Sequence, residues 1–178
     1  VYRTTDQGVT WAPVNIAGFT GVTGTSFVLL TTFALGSDVW VAGDNGNVYH
    51  TTDGTTFTQQ STGITKGITR MRGVSGHIIA LVGNDPGYYI TTTNNGVSWT
   101  APTTMPFGDS PENLAIAPDE SAIYVFGPFH GPLASFEKNP TWSFVPTVMD
   151  PNLLRAAFAF AGNDVFAVGK SGIIHYGN

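Results

Sequence analysis

Two sets of side chains recur in this sequence at spacings that could do chemistry. The first is an aspartate or asparagine inside a polar turn: Asp6, Asp53 and Asn94, with Asn139 in a worn fourth copy. Repeated carboxylates invite an acid/base or metal-ligand reading, since both chemistries need oxygen groups gathered at one place. The second set is Arg70, Arg72 and Arg155, whose planar guanidinium forks suit an anion or a carboxylate. The turns themselves decide the first case. Thr-Thr-Asp-Gln-Gly-Val-Thr-Trp at 4–11 returns at 51–57 with one residue deleted, and again at 92–99 with asparagine for aspartate. Each unit reads as a hairpin: a polar strand end, an Asx-type turn whose oxygen accepts nearby N–H groups, a glycine at positive φ, then an aromatic. The oxygens are thereby committed to local N–H groups. Asp6, Gly8, Trp11, Asp53, Gly54, Phe57, Asn94, Gly96, Trp99 and Trp142 are therefore assigned structural roles.

Other catalytic and metal constellations are thin. His50, His77, His130 and His175 are scattered without paired ligand spacing, and His50 and His175 hold neighbouring places on equivalent strands, which suits strand packing. Asp44-Asn45-Gly46-Asn47 has oxygen ligands for calcium but reads better as a tight turn. There is no phosphate-binding loop, dinucleotide fingerprint or nucleophile elbow, so neither a cofactor nor a metal is expected. A net charge of −5, from 7 basic against 12 acidic residues, argues against nucleic acid, whose affinity rests on clustered Lys and Arg. No apolar run is long enough for a membrane span. The absence of cysteine removes disulfides and thiolate sites.

The turns are positioned by a repeat. The intervals Asp6 to Asp53, Asp53 to Asn94 and Asn94 to Asn139 are 47, 41 and 45 residues, within the roughly 40–50 residues that four short strands per propeller blade require. Strands are expected at 27–35, 38–43, 47–52 and 57–61, then 68–74, 77–83, 88–93 and 98–103, then 113–117, 122–126, 133–136 and 142–145. Residues 154–172 begin another blade without its own aspartate turn, and 172–178 align with 46–52. The expectation is a single all-β domain over 1–178, a β-propeller of about four antiparallel four-stranded blades. The missing hairpin is then the one at 4–11, so that the two chain ends share one blade and close the ring. Val1-Tyr2-Arg3 and Ile174-His175-Tyr176 hold the same place in the repeat, which equally fits four blades of a longer propeller. The chain starts at Val1, so it is read as a mature product or a fragment.

The turn units resemble the Asp-box, S-x-D-x-G-x-T-W, of Asp-box (BNR-like) β-propellers. The run from Asp38 to Gly54 is also similar to repeats of the photosystem II assembly factor type, V-G-x-x-G-x-I/V-x-x-T-x-D-G. The resemblance covers nearly the whole chain and implies a propeller with a non-enzymatic binding, scaffolding or assembly role. Sialidases share the Asp-box, but their chemistry needs an arginine cluster, a tyrosine nucleophile with a glutamate partner, and an acid/base group. This chain has only Arg3, Arg70, Arg72 and Arg155, and only Glu112, Glu120 and Glu137. The alternative is a lectin-like or glycoside-hydrolase-related propeller. The expected partner is a protein or a glycan, and threonine-rich, lysine-poor composition points to a secreted or envelope setting.

Propeller ligands usually sit opposite the Asp-box turns, on the loops joining blades and on the middle hairpin of each blade. Aligning Gly43, Gly83, Gly127 and Gly169 puts Arg70, Arg72 and Arg155 on the innermost strands, at the mouth of the channel. Phe107, Asp109, Phe129 and His130 complete the candidate ligand-binding set. The alternative is that Asp109, Glu112 and Asp150 pair with these arginines as ring-closing ion pairs.

Overall fold

The protein is described here by a computed structural model, which covers residues 1–17, 28–83, 86–106, 111–126, 133–135, 141–144, 154–169 and 174–177. It is built of β-strands, and among the described residues no helix is long and apolar enough to cross a membrane. A two-stranded hairpin comes first, β1 (Tyr2–Arg3) with β2 (Ala12–Pro13). Three antiparallel four-stranded meanders follow. The first is β3 (Leu29–Leu35), β4 (Asp38–Gly43), β5 (Val48–Thr51) and β6 (Thr58–Gln60). The second is β7 (Ile68–Val74), β8 (His77–Val82), β9 (Tyr88–Thr92) and β10 (Thr103–Thr104). The third is β11 (Asn113–Ile116), β12 (Ile123–Phe126), β13 (Leu133–Ser135) and β14 (Ser143–Phe144). A three-stranded sheet ends the chain: β15 (Leu154–Ala161), β16 (Asp164–Gly169) and β17 (Ile174–Gly177).

The expected strands thus form in the expected order, with one displaced. Thr100 still donates its N–H to Thr91 O (2.9 Å), but Pro102 has no N–H to add to the ladder, so β10 resumes only at Thr103 instead of running over 98–103. The expected shared blade is not formed: β1–β2 and β15–β17 lie in separate sheets. The reason is the duplication already visible in the repeat, because β17 occupies the place beside β16 that β1 would need.

The second strand of each meander is buried from both sides, since sheets pack face to face. All six residues of β8, His-Ile-Ile-Ala-Leu-Val, are buried. Its alternate residues serve different neighbours: Ile78 and Ala80 join Trp40, Ala42, Ile68 and Met71 of the first joint, whereas Ile79 and Leu81 join Leu114, Ile123 and Val125 of the second. A third joint sets Ala115, Ala117, Tyr124 and Phe126 against Ala157, Ala159, Val165 and Ala167. The first strands of the sheets touch in sequence, β3 with β7, β7 with β11 and β11 with β15, so they form the inner wall. Three of them carry a one-residue bulge at the same place, at Leu30, Thr69 and Arg155.

Candidate functional site

The three regular Asp-box turns share one wiring. The first threonine of each unit is its hub: Thr4, Thr51 and Thr92 Oγ1 donate to Asp6, Asp53 and Asn94 Oδ1 at 2.7, 2.8 and 2.8 Å. The same hydroxyls accept the N–H of Gly8, Gly54 and Gly96 at 2.8, 2.9 and 3.0 Å. These glycines sit at φ 92, 71 and 79°, a backbone that side chains with a Cβ resist. Asp6 Oδ1 accepts the N–H of Thr10 (2.9 Å), Asp53 Oδ1 those of Thr55 and Thr56 (2.7 Å each), and Asn94 Oδ1 that of Ser98 (3.0 Å). An amide does in the third copy what a carboxylate does in the others, so the recurring requirement is an acceptor, not a charge.

These bonds favour the ionised carboxylates. The Thr10 hydroxyl, then its N–H and the Thr4 hydroxyl, hold Asp6 down to about 2, and the N–H groups of Thr56 and Thr55 hold Asp53 well below the ordinary carboxylate value. A lowered folded pKa means that the stabilisation is complete above the ordinary value near 3.8 and is lost as pH falls through the folded value. Carboxyl-carbon NMR titration is therefore expected to show Asp6 ionised at pH 3 with a midpoint near pH 2. A midpoint at the ordinary value would contradict the turn geometry.

The aromatics of the four units differ. Phe57 is buried with Ile16, Val41 and Tyr49, Trp99 packs at the edge of the first joint, and Trp142 meets Tyr89 edge-on at 5.6 Å. Trp11 differs from these three: it is 60% exposed and lies over its own turn, its Nε1 donating to Gly8 O at 3.2 Å. The residues that pack on the following sheet are instead Val14 and Ile16, just after β2.

Two side chains that the repeat pattern does not single out clip neighbouring blades together at these turns. Arg3 donates to Asp53 O (3.1 Å), with its guanidinium over Gly54, and Gln60 Nε2 donates to Asn95 O (2.9 Å), with its amide over Gly96. Glycine leaves the space that each clip fills. On the same end His77 Nδ1 lies 3.5 Å from Glu120 Oε1, joining the second and third sheets. His50 serves packing as expected, stacked on Trp40 at 4.5 Å with Nε2 on Asp38 Oδ1 at 2.6 Å. Asp44 is a turn residue: its Oδ2 accepts Val28 N–H (3.0 Å), and its carbonyl accepts the Asn47 side chain (2.9 Å). Among the described residues no three metal-ligating side chains come together.

The inner wall holds the remaining candidates. A cavity of about 200 Å³ lies where β3, β7, β11 and β15 converge, lined by Phe33, Arg72, Ile116 and Phe158 among others. Phe33 and Phe158 occupy equivalent register positions, facing Trp40 and Phe166 across their own sheets, which the alignment on glycines did not bring out. Arg72 is half-buried and its Nη1 donates to Met71 O at 2.8 Å. Burial, and then the like charge of Arg70, lower its pKa from the ordinary arginine value. Arg70 sits two residues nearer the inter-blade loops, and its Nε and Nη2 donate to the backbone carbonyl of Glu112 at 3.3 and 3.2 Å, not to its carboxylate. Among the described residues neither arginine has a carboxylate within ion-pair distance. Arg155 holds the bulge of β15 rather than the register place of Arg70, and its side chain lies outside the described residues. Phe107, Asp109, Phe129, His130 and Asp150 also lie outside them.

Residues 1–124 match the DUF6242 beta propeller domain. No curated protein matches the chain. Among solved structures, YCF48 bound to D1 peptide superposes with a TM-score of 0.67 at 16% identity, over 99% of this chain and 56% of that one. The NanB sialidase from Streptococcus pneumoniae gives 0.64 at 12% identity, over 99% of this chain and 34% of the sialidase. The computationally designed Ika4 protein gives 0.64 at 8% identity, with 92% and 94% of the two chains covered. The chain thus spans just over half of YCF48 and about a third of the sialidase. At these identities the likeness is one of fold. Antiparallel meanders, inner strands around a channel, Asp-box turns and the match over most of the sequence agree: the chain belongs to the DUF6242 β-propeller domain family.

Proposed function

We propose that this chain is a non-enzymatic binding module, working outside the cytoplasm, that takes an anionic group of a protein partner into the central channel on Arg72. The observation that carries the reading is the half-buried guanidinium of Arg72 in a cavity walled by Phe33, Phe158 and aliphatic side chains. Two arginines two residues apart repel each other where water is scarce, and an incoming carboxylate relieves that repulsion while gaining charge-assisted hydrogen bonds. The walls suit an apolar or aromatic body attached to that carboxylate. Among the described residues no carboxylate or histidine lines this cavity. The YCF48 structure holds a peptide on a propeller of the same fold, which makes a protein segment the preferred ligand class. The low lysine content and threonine-rich strands support the extracytoplasmic setting.

N-acetyl-phenylalanine as free acid and as amide provides a direct test by isothermal titration. The free acid is expected to bind and the amide to bind at least about tenfold more weakly, since a hydrogen bond to a charged group contributes about 1.5–3 kcal/mol. Arg72→Met should abolish the difference. Equal binding of acid and amide to the unaltered protein would remove the anion site, and binding of neutral oligosaccharides in its place would favour a glycan-binding propeller.

A further inference from the structure

Arg70 stands beside Arg72 on the inner wall but outside the cavity that Arg72 lines. Across β7–β8 Arg70 faces Leu81 and Arg72 faces Ile79, and directly opposed residues of an antiparallel pair share one side of the sheet. Ile79 and Leu81 pack with Leu114 of the third sheet, so both arginines leave β7 on the side that meets that sheet. Alternate residues of a strand stand roughly 6.5–7 Å apart. The one-residue bulge at Thr69 sets this register. From it Thr69 Oγ1 donates to Pro111 O (3.3 Å) and Arg70 donates to Glu112 O, so consecutive residues of β7 hold consecutive carbonyls at the entry to β11.

What holds each guanidinium is a neutral carbonyl. Arg70 gives Nε and Nη2 to Glu112 O at 3.3 and 3.2 Å, and Arg72 gives Nη1 to Met71 O at 2.8 Å. Such bonds orient a fork without cancelling its charge. They leave Nη1 of Arg70, and Nε and Nη2 of Arg72, with no partner among the described residues. Two of the 7 basic residues of an acidic chain therefore stand half-buried on one side of one strand. Among the described residues neither has a carboxylate in ion-pair reach. The pKa of Arg72 is lowered by its burial and then by the charge of Arg70, so the two charges feel each other. An anion held by Arg72 alone leaves the charge of Arg70 uncompensated. A second anionic group beside the first compensates it, through charge-assisted bonds roughly twice as strong as those to a neutral acceptor.

We propose that Arg70 and Arg72 bind as a pair, and that the channel ligand carries two carboxylates: one attached to an apolar body, held by Arg72, and a second on a neighbouring acidic residue, held by Arg70. This rests on the role proposed above for Arg72 and extends it from a single anionic group to an acidic side chain next to an apolar acid. The Glu112 carbonyl occupies the Nε edge of the Arg70 fork, so Arg70 takes the second carboxylate through Nη1 without releasing the third sheet. Replacing the second acid of the ligand by its amide keeps the shape and removes the charge. Arg70 is then the residue that determines specificity between the two.

The dipeptides N-acetyl-aspartyl-phenylalanine and N-acetyl-asparaginyl-phenylalanine differ only in that second charge, and isothermal titration of both, beside N-acetyl-phenylalanine, reads its effect. The aspartyl dipeptide is expected to bind at least about fivefold more tightly than the asparaginyl one. This comparison on the unaltered protein depends on no variant's folding. Arg70→Gln, which can still donate to Glu112 O but carries no charge, should remove the preference. Equal binding of the two dipeptides, or binding of neither, while N-acetyl-phenylalanine still binds would overturn the pairing and leave the role of Arg72 in place. A preference that survives Arg70→Gln would do the same. Failure of N-acetyl-phenylalanine itself to bind would overturn both.

Discussion

Trp40→Ala is expected to cost about 3–5 kcal/mol, the usual range for removing a large buried aromatic, or roughly 6–20 °C in Tm for a chain of this size. Trp40 is fully buried on the second strand of the first sheet. Its ring stacks between Phe33, at 5.6 Å and 22°, and His50, at 4.5 Å and 19°. The face beyond packs with Ile68, Met71, Ile78 and Ile90 of the second sheet. Truncation therefore empties the centre of the first joint and frees the His50 ring that Asp38 holds. Trp40 Nε1 has no hydrogen-bond partner, so the loss is one of packing. Trp40→Phe, which keeps a flat ring in the stack, should retain more than half of the stability lost in the alanine variant. Urea unfolding separates these outcomes, and a Trp40→Ala loss below about 1 kcal/mol would show that the first two sheets do not share a packed joint.

Gly43→Ala is the second large effect, for a different reason. The Gly43 φ of −174° is ordinary extended backbone, so conformational freedom is not the requirement. The requirement is space. A Cβ at Gly43 would fall on the carbonyl oxygen of Val28 and within 2.7 Å of Leu29 Cα, where the chain enters β3. Both are backbone, and the same Val28 carbonyl accepts the N–H of Asp44 at 3.0 Å while Val28 N–H is held by the Asp44 carboxylate. Neither can step aside without breaking the bonds that start the first sheet. Overpacking of this kind costs about 1–3 kcal/mol and sometimes more. Gly8→Ala, at an exposed turn with nothing within 4 Å of the added carbon, should cost only the strain of its positive φ. If thermal unfolding ranks Gly8→Ala as the more damaging, the close approach at Gly43 is not tight in solution.

These two positions mark what can be read in the sequence and what cannot. The Asp-box turns can be read, because their bonds lie within four residues, and so can apolar runs such as Ile78–Val82, since a middle strand buried on both sides needs nothing else. The glycine at Gly43 recurs less regularly: Leu29 faces Gly43 in the first sheet, but Ile68 faces Val82 in the second, one residue short of Gly83. Contacts between blades follow no such spacing. Arg3 on Asp53 O spans 50 residues and Gln60 on Asn95 O spans 35, and each is made by a side chain with no counterpart in the other repeats. The one-residue bulges of β3, β7 and β15 were equally hidden, and Arg155 falls on one of them, in the place of Thr69 rather than that of Arg70. The arginine pair was legible as chemistry. That Arg72 lines the cavity while Arg70 is drawn aside to the Glu112 carbonyl depends on how two sheets meet. The shared terminal blade failed for the reason its own repeat contained, two strands with a claim to one place.

The central claim divides the protein into turns that hold it together and a channel that binds. Measuring both thermal stability and free-acid binding on two variants, Asp53→Ala and Arg72→Met, tests that division most directly. Asp53→Ala deletes the acceptor of three turn bonds and should lower Tm while leaving the affinity for N-acetyl-phenylalanine unchanged below the transition. Arg72→Met keeps the apolar stem against the cavity wall and should leave Tm in place while weakening binding at least about tenfold. A lower Tm with unaltered binding for Arg72→Met would make Arg72 a structural residue and leave the channel without an anchor.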